Sequence, residues 1–288
     1  MYSFFCIIGG IMMEKNRNKK KTNKIDKNVK IIVATHKEYQ VAQDKAYFPL
    51  HVGADSNKNK TNFVADNTGQ NISIKNPNFC ELTGMYWAWK NLQADYIGLV
   101  HYRRYFTLSH KRYRTESEKF KNVLTTSDLN QLLEKNNIIL PKKRRYYIET
   151  LYNHYKHTMN IEPLDITGEI IKEKFPSYYP EFKKLHTRRS AHMFNMFVMD
   201  KNTFDDYCKW LFTILFELEK KIDFTKYNTY QARFFGNVSE RLLDVYINTN
   251  HIKYKEVRVM DMQKINWFNK VISFLKAKFL GDKYDKSF

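Results

Sequence analysis

Cysteine is scarce in this chain, and the placement of the few cysteines excludes two kinds of cross-link. Cys6, Cys80 and Cys208 are odd in number, far apart in the sequence and without a Cys-x-x-Cys pair. Neither a disulfide framework nor a structural zinc site is therefore indicated. We expect the protein to work in a reducing cytoplasm.

The apolar first segment is too short to span a bilayer. Residues 1–13 have only about half of the length that a membrane-spanning helix needs. No cation precedes them, as a signal peptide requires, and lysines follow instead. We expect Met12 or Met13 to be the natural start of the chain, and a short membrane-seeking tip is the alternative.

Acidic residues are outnumbered by basic ones. The chain has 30 Asp and Glu against 49 Lys and Arg, which gives a net charge of +19. This charge suits nucleic acid, a phosphorylated substrate or an anionic membrane surface. Tyrosines interleaved with basic residues could stack on bases. No known RNA- or DNA-binding motif is present, however, so we expect no nucleic-acid partner.

Composition divides the chain into three parts. Residues 1–29 are predicted to be a disordered basic arm, because charged and amide side chains do not pack into a core. Residues 30–255 are long and apolar enough to form a globular domain. Residues 256–288 include an amphipathic helix at 264–280, whose lysines suit an anionic membrane. Packing of that helix on the domain is the alternative.

Apolar runs and helical patterns alternate through the central part. Residues 30–35 and 94–100 are predicted to be buried strands, and residues 81–91 between them a helix rich in aromatics. A polar loop at 53–78 is long enough to be functional. This order predicts an α/β fold with a right-handed parallel crossover. Later helices are predicted at 127–134, 200–221 and 237–248.

The strand predicted at 94–100 is followed by His101, Arg103 and Arg104. Ligands of open α/β sheets bind beyond the carboxyl ends of the strands, so these side chains are predicted to face a ligand crevice. A planar guanidinium group can bind two phosphate oxygens at once. We therefore predict a phosphorylated ligand, and a solvated strand end is the alternative.

Long motifs of mixed residue types occur between residues 30 and 250. They are HVG at 51–53, DNTGQNIS at 66–73, CELTGMYWAWKN at 80–91, GLVHYRRYF at 98–106, NMFVM at 195–199, YCKWLF at 207–212 and RFFGNVSERLL at 233–243. In these motifs the chain resembles the bacterial capsular and exopolysaccharide glycosyltransferases that carry domain of unknown function 4422.

The resemblance implies a GT-A-like nucleotide-sugar-binding fold, with a mostly parallel central sheet flanked by helices. It also implies a hexosyltransferase that moves a sugar from a nucleotide diphosphate, for which we expect UDP, to a lipid-linked glycan acceptor. The cytosolic donor and the lipid-linked acceptor imply a peripheral location on the inner face of the cell membrane. A basic nucleic-acid-binding protein and a noncatalytic membrane-associated scaffold are the alternatives.

The chain departs from the GT-A pattern in one respect. GT-A enzymes usually end the central strand in an Asp-x-Asp that holds a divalent metal on the diphosphate, whereas this strand ends in His-Tyr-Arg-Arg. We expect Arg103 and Arg104 to stabilise the departing diphosphate instead. A bound manganese or magnesium ion is the alternative.

Residues for the donor are predicted from two strand ends and the polar loop. Thr35 and His36 follow the first strand, and His101 with Arg103 and Arg104 follows the second. Amide and carboxylate groups of the loop can read a base edge or ribose hydroxyls. The loop residues predicted for this role are Asp66, Asn67 and Asn71, although Asp66-Asn-Thr-Gly is also ideal chemistry for a simple turn.

An inverting transferase needs a carboxylate that takes the proton of the acceptor hydroxyl. Glu240, predicted to open a helix after a turn at Gly236, is the first candidate, and Glu149 is the second. The alternative for Glu240 is a favourable charge at a helix N-terminus. The predicted acceptor-binding residues are Tyr152, His154, Tyr155 and Asn195.

Overall fold

The structure, a computed structural model, describes residues 27–57 and 59–263. The predicted arm before residue 27 and the predicted amphipathic helix at 264–280 lie outside the described residues. The described part is a mixed α/β fold. Its strands are β1 Val29–Thr35, β2 Tyr47–His51, β3 Val64–Ala65, β4 Tyr96–His101, β5 Arg104–Thr107, β6 Ile138–Pro141, β7 Arg144–Arg145, β8 Ser190–Ala191, β9 Phe197–Asp200 and β10 Tyr254–Asp261.

The main sheet has the strand order β3-β2-β1-β4-β5-β10-β6-β9, with a further pairing of β4 and β9. Its first four strands are parallel, and Ile31 lies between Tyr47 of β2 and Gly98 of β4. The predicted parallel pairing of the strands at 30–35 and 94–100 is confirmed. β7 and β8 form a separate antiparallel ribbon.

The prediction of a mostly parallel sheet is wrong. Four of the pairings in the main sheet are parallel and four are antiparallel. β9 runs antiparallel to both β4 and β6, and β5 folds back on β4 through the pair His101 and Arg104. An apolar run in the sequence marks a buried strand but carries no information on its direction, so the pattern did not show this.

The helices are α1 Asn76–Phe79, α2 Leu82–Asn91, α3 Glu116–Phe120, α4 Thr126–Leu132, α5 Leu151–Thr158, α6 Glu162–Lys174, α7 Tyr179–Lys183, α8 Lys201–Lys221 and α9 Phe234–Thr249, with short 3-10 turns at Ser73–Lys75, Pro176–Tyr178, Lys184–His186, Phe224–Lys226 and Gln231–Arg233. The start of α8 is as predicted, because the Asp200 carboxylate caps it by accepting from the Thr203 backbone N–H at 3.0 Å.

α9 begins three residues earlier than predicted. Gly236 lies inside the helix instead of forming a turn before it, and Glu240 lies in its second turn. Glu240 is therefore not the helix-opening residue that was expected, and a charge at the helix N-terminus does not account for it. The apolar pair Phe234 and Phe235 extends the buried face of the helix backwards past the glycine.

The predicted domain boundary after residue 255 falls inside β10. This strand pairs with β6 through residues 254–257 and with β5 through residues 258–261. Residues 256–261 are thus part of the sheet, and they are counted here with the folded domain.

Hydrophobic residues cover both faces of the sheet. Ile32 and Ala34 of β1 pack in a cluster with α2, α8 and α9, whereas Ile31 and Val33 pack in a second cluster that includes α4. Gly98 lets β9 approach β4, because a Cβ there would lie 2.9 Å from the Phe197 carbonyl oxygen. The parallel pairing of β1 with β4, which extends to Ala34 and His101, holds the ends of these two strands side by side.

Candidate active site

Two adjoining cavities open where β1 and β4 end. The smaller cavity has a volume of about 220 Å³ and the larger cavity about 410 Å³. Their shared wall is formed by Cys80, Glu81, His101, Arg103 and Arg233. Such a crevice beyond the strand ends is the general ligand site of open α/β sheets.

The smaller cavity is strongly basic. Five arginines and two glutamates line it, which gives an excess of positive charge suited to an anionic ligand. Its residues outside the shared wall are Arg104, Arg144, Tyr146, His154, Thr158, Met193, Phe194, Tyr230, Gly236, Asn237, Glu240 and Arg241. The larger cavity adds Ala34, His36, Val52, Ser56, Asn57, Asn76, Pro77 and Tyr102.

The tight turn between β4 and β5 places two predicted arginines at the cavities. Arg104 lines the smaller cavity, but its Nε donates to Asp261 at 3.1 Å and its guanidinium lies 4.5 Å from the Phe194 ring. Arg103 lies in the shared wall and, within the described residues, forms no ion pair. Arg103 is therefore the member of the pair whose charge is available to a ligand.

Both predicted histidines face the cavities. Burial lowers the pKa of His36, and the charges of Lys37, Arg103 and Arg233 lower it further. Burial also lowers the pKa of His101, whose Nε2 donates to the Phe194 carbonyl at 2.6 Å. Both imidazoles are thus neutral at pH 7 and can act as hydrogen-bonding groups.

Arg233 is a cavity residue that the sequence prediction missed. It ends the 3-10 turn before α9, and its Nε donates to the Cys80 sulfur at 3.1 Å. Burial raises the pKa of Cys80 to about 11, so this sulfur is a neutral thiol and does not neutralise the guanidinium. Arg233 is the first residue of the sequence motif at 233–243, but the motif by itself did not indicate a ligand-binding role for it.

A strained loop segment joins the two glutamates of the smaller cavity. Phe194 and Asn195 have φ values of 78° and 52°, a region that residues other than glycine rarely adopt. The Phe194 N–H donates to Glu240 Oε1 at 3.1 Å, and the Asn195 amide donates to Glu81 Oε1 at 2.7 Å. Both carboxylates are consequently held at defined positions beside the shared wall.

Glu240 is the carboxylate with altered acidity in the smaller cavity. Burial raises the pKa of Glu240; the nearby Arg241 charge opposes this effect and the Glu81 charge adds to it. A carboxyl group whose pKa is moved towards neutrality is suited to proton transfer. The prediction that selected Glu240 thus agrees with its position, although the role itself stays a prediction.

Two further arginines that were not predicted line the smaller cavity but not the larger one. Arg144 lies on the ribbon of β7 and β8, 5.0 Å from the Tyr146 ring. Arg241 lies on α9, is 3% exposed, and its guanidinium is 4.7 Å from the Tyr155 ring. Arg233, which precedes α9, and Arg241, which lies in it, therefore both supply cations to the smaller cavity.

Glu149, the second predicted catalytic residue, lies behind the cavity lining. Its two oxygens accept hydrogen bonds from His154 Nδ1 at 2.6 Å and His157 Nδ1 at 2.8 Å. Burial would raise the pKa of Glu149, but these two bonds and the charges of the histidines lower it overall. Because both oxygens are occupied, Glu149 is placed to orient His154, which does line the cavity.

None of the three predicted donor residues in the polar loop lines either cavity. The buried Asp66 carboxylate accepts from the backbone N–H groups of Gly53 at 2.8 Å and Ala54 at 3.1 Å, so it stabilises the turn after β2. The other non-lining predictions have local partners as well: Asn67 donates to Asp55, Asn71 donates to the Gly69 carbonyl, and the Thr35 hydroxyl donates to the Lys37 carbonyl. Of the donor residues predicted at the end of the first strand and in the loop, His36 is the one that lines the larger cavity.

The predicted acceptor residues are dispersed. Tyr152 lies 3.9 Å from the His186 ring and donates to Asp165 at 2.8 Å, away from both cavities. Tyr155 is fully buried beneath Arg241, and Asn195 supports the loop through Glu81. Only His154 of this set lines the smaller cavity, because it lies on a different face of α5 from Tyr152 and Tyr155, which are three residues apart and share a face.

Two further properties concern the described residues only. Residues 27–57 and 59–263 contain no group of three or more His, Cys, Asp or Glu side chains placed to hold a metal ion. In the same part of the chain, no helix combines the length and the apolarity needed to cross a bilayer. Arg103 and Arg233 bring two guanidinium groups to the shared wall.

Comparison with known proteins yields one family and one solved structure. The family model "Domain of unknown function (DUF4422)" matches residues 30–251. The structure of an apo bifunctional glycosyltransferase, WbbM, is similar with a TM-score of 0.76 and 33% sequence identity. The match covers 82% of this chain but only 46% of that one, so this chain spans about half of that protein's length. No curated protein sequence matches the chain.

Proposed function

The chain belongs to the family defined by domain of unknown function DUF4422, and from that premise we propose that it is a glycosyltransferase acting on a nucleotide-sugar donor. The observation that carries the proposal is the wall of Arg103 and Arg233 between two cavities at the strand ends. The fold proposed for this activity is a variant of the GT-A type in which half of the strand pairings are antiparallel.

The donor spans the shared wall in this proposal. The nucleoside, for which we expect uridine, occupies the larger cavity near His36 at the end of β1, and the hexose extends into the smaller cavity. The diphosphate lies between them, where Arg103 and Arg233 meet it. Arginine suits this position because its planar fork binds two phosphate oxygens.

In this proposal, charged residues of the smaller cavity promote transfer of the sugar to the acceptor. The acceptor hydroxyl oxygen forms a bond to the anomeric carbon of the sugar, and the bond from that carbon to the diphosphate oxygen breaks. The electron pair goes to the nucleoside diphosphate, whose growing charge Arg103 and Arg233 stabilise. Glu240 takes the hydroxyl proton, and its raised pKa brings its acidity nearer to neutral pH.

The acceptor in this proposal is a lipid-linked glycan of capsular, exopolysaccharide or O-antigen synthesis, met by a peripheral enzyme at the inner face of the cell membrane. The net charge of +19 supports attraction to an anionic surface. The ribbon beside the smaller cavity exposes Tyr147 and Ile148, which are 81% and 57% exposed, next to Arg145 and Arg189. Exposed apolar side chains flanked by arginines are suited to the headgroup region of a bilayer.

Nucleoside diphosphate binding tests the proposal directly. Uridine and guanosine diphosphate, with and without manganese, are expected to raise the melting temperature by several degrees at concentrations far above the dissociation constant. Replacing Arg103 or Arg233 by glutamine should lower turnover by about two to three orders of magnitude. Arg112→Gln, which changes an exposed arginine that lines neither cavity, is the control. Absence of any shift with every nucleotide would refute the donor assignment.

A further inference from the structure

Four of the five arginines of the smaller cavity form two pairs that act on different histidines, and the fifth, Arg104, is paired with Asp261. Arg103 and Arg233 in the shared wall both contribute to the lowered pKa of His36, after burial and Lys37. Arg144 and Arg241 line the smaller cavity alone and both contribute to the lowered pKa of His154, for which burial is the largest cause. Arg103 and Arg233 thus lie in the wall that both cavities share, whereas Arg144 and Arg241 line the smaller cavity only.

Arg241 is buried and keeps an unused hydrogen-bond donor, although it forms an ion pair with Glu240. It is 3% exposed, and one terminal nitrogen donates to the Asn237 carbonyl at 2.6 Å. Its Nε is buried and has no hydrogen-bond partner. The terminal nitrogen Nη1 also forms an ion pair with Glu240 Oε2 at 3.7 Å, which is longer than a direct hydrogen bond. An arginine that is buried with an unused donor costs free energy unless a ligand supplies the missing acceptor.

Arg144 reaches the same place from a different element. The ribbon alternates its side chains, so that Arg144 and Tyr146 line the cavity while Arg145 and Tyr147 are exposed. Backbone hydrogen bonds fix the ribbon, including Tyr146 N–H to the Arg189 carbonyl at 2.7 Å. Within the described residues, Arg144 forms no ion pair. Its charge is therefore available in the cavity.

We propose that Arg144 and Arg241 form a second anion subsite, separate from the donor diphosphate, that binds a phosphate or carboxylate group carried by the acceptor. The identification of the anion as part of the acceptor rests on the proposed function. Glu240 lines the same cavity as both pairs of arginines and is the ion-pair partner of Arg241, so an acceptor anion bound there brings the acceptor hydroxyl close to the carboxylate that deprotonates it. A phosphate would come from a lipid diphosphate, and a carboxylate from an acidic sugar.

The test measures binding of a second anion to protein already saturated with uridine diphosphate. Inorganic pyrophosphate represents the lipid diphosphate, glucuronate represents an acidic sugar, and glucose is the neutral control. We expect one of the two anions to bind in calorimetry while uridine diphosphate stays bound. Arg144→Gln should weaken that anion about tenfold or more, because a charge-assisted hydrogen bond is lost. The affinity for uridine diphosphate should not change.

Arg145→Gln is a matched control, because Arg145 is the adjacent ribbon residue on the exposed side. Arg144→Lys should retain part of the binding, since lysine keeps the charge but not the planar fork. Displacement of the anion by uridine diphosphate, an equal loss in Arg145→Gln, or no anion binding would overturn the subsite. If uridine diphosphate itself does not bind, the donor assignment fails, and the subsite is then tested with pyrophosphate alone on the Arg144 and Arg103 variants.

Discussion

Glu240→Gln separates the proton-transfer role of Glu240 from its structural role. Glutamine has nearly the same shape, and its side-chain oxygen can still accept the Phe194 N–H bond that is 3.1 Å long in the protein. The strained segment at Phe194 and Asn195 therefore keeps its support. What the substitution removes is the carboxylate that can take a proton from the acceptor hydroxyl.

The expected loss follows from the size of general-base catalysis. A positioned base contributes about 10²- to 10⁴-fold, which corresponds to about 3 to 5 kcal/mol of activation free energy. We expect the turnover number of Glu240→Gln to fall within that range. The affinity for the nucleoside diphosphate should stay the same, because Arg103 and Arg233 bind it.

The pH dependence has a definite sign. Burial raises the pKa of Glu240 above its ordinary value, so the turnover of the wild-type protein should fall as pH decreases through that raised pKa. A raised pKa also means that the carboxyl group favours folding below its unfolded-state pKa and that this contribution is lost as pH rises through the folded-state pKa. Glu240→Gln should therefore melt at a higher temperature than wild type at neutral pH, with a smaller difference in acid.

The assay is release of nucleoside diphosphate from a UDP-sugar with acceptor present, followed across pH together with thermal melting. Glu169→Gln, an exposed carboxylate on α6, is the matched control and should change neither quantity. A turnover number within about threefold of wild type would refute the assignment of Glu240 as base. A large loss of melting temperature would instead show that Glu240 acts by supporting the loop.

Two further predictions test the polar loop and the exposed ribbon. Asp66→Asn should lower the free energy of unfolding by about 1 to 3 kcal/mol in denaturant titrations, because a buried acceptor of two backbone N–H groups is weakened. Unchanged nucleotide affinity would agree with a structural role of Asp66, and a selective loss of nucleotide affinity would contradict it. The double variant Tyr147→Ser, Ile148→Ser should reduce sedimentation of the full chain with vesicles that contain phosphatidylglycerol. The control Ile74→Ser, which removes another exposed apolar side chain, should leave sedimentation unchanged. Equal binding by all variants would exclude the ribbon from the membrane contact.

Local sequence patterns predicted the elements that build the site. The strands at 30–35 and 94–100, the helix at 81–91 and the Asp200 cap were recognisable because short apolar runs, helical spacing and capping residues depend on neighbours in the sequence. The position of His101, Arg103 and Arg104 at a strand end followed from the same pattern. Strand direction, in contrast, depends on the partner strand, and the predicted parallel sheet was wrong.

Local sequence patterns could not predict which residues line the smaller cavity. Arg233, Arg144 and Arg241 belong to a turn, a ribbon and a helix that the sequence pattern gave no reason to bring together. Each resembles an ordinary solvated cation when it is read with its sequence neighbours. Their convergence results from packing of α9 and the ribbon against the ends of the sheet.

The sequence by itself determined the basic character of the protein, the alternation of strands and helices, and the placement of cations at a strand end. Tertiary structure alone decided which cations serve a ligand: Arg104 is engaged by Asp261, 157 positions away, while the adjacent Arg103 is not. Tertiary structure also engages the Asp66 carboxylate with a backbone N–H group of the turn after β2. It places a histidine at each oxygen of the Glu149 carboxylate. The physical reason is that the availability of a polar group depends on its partners in space, and most of those partners are distant in the chain.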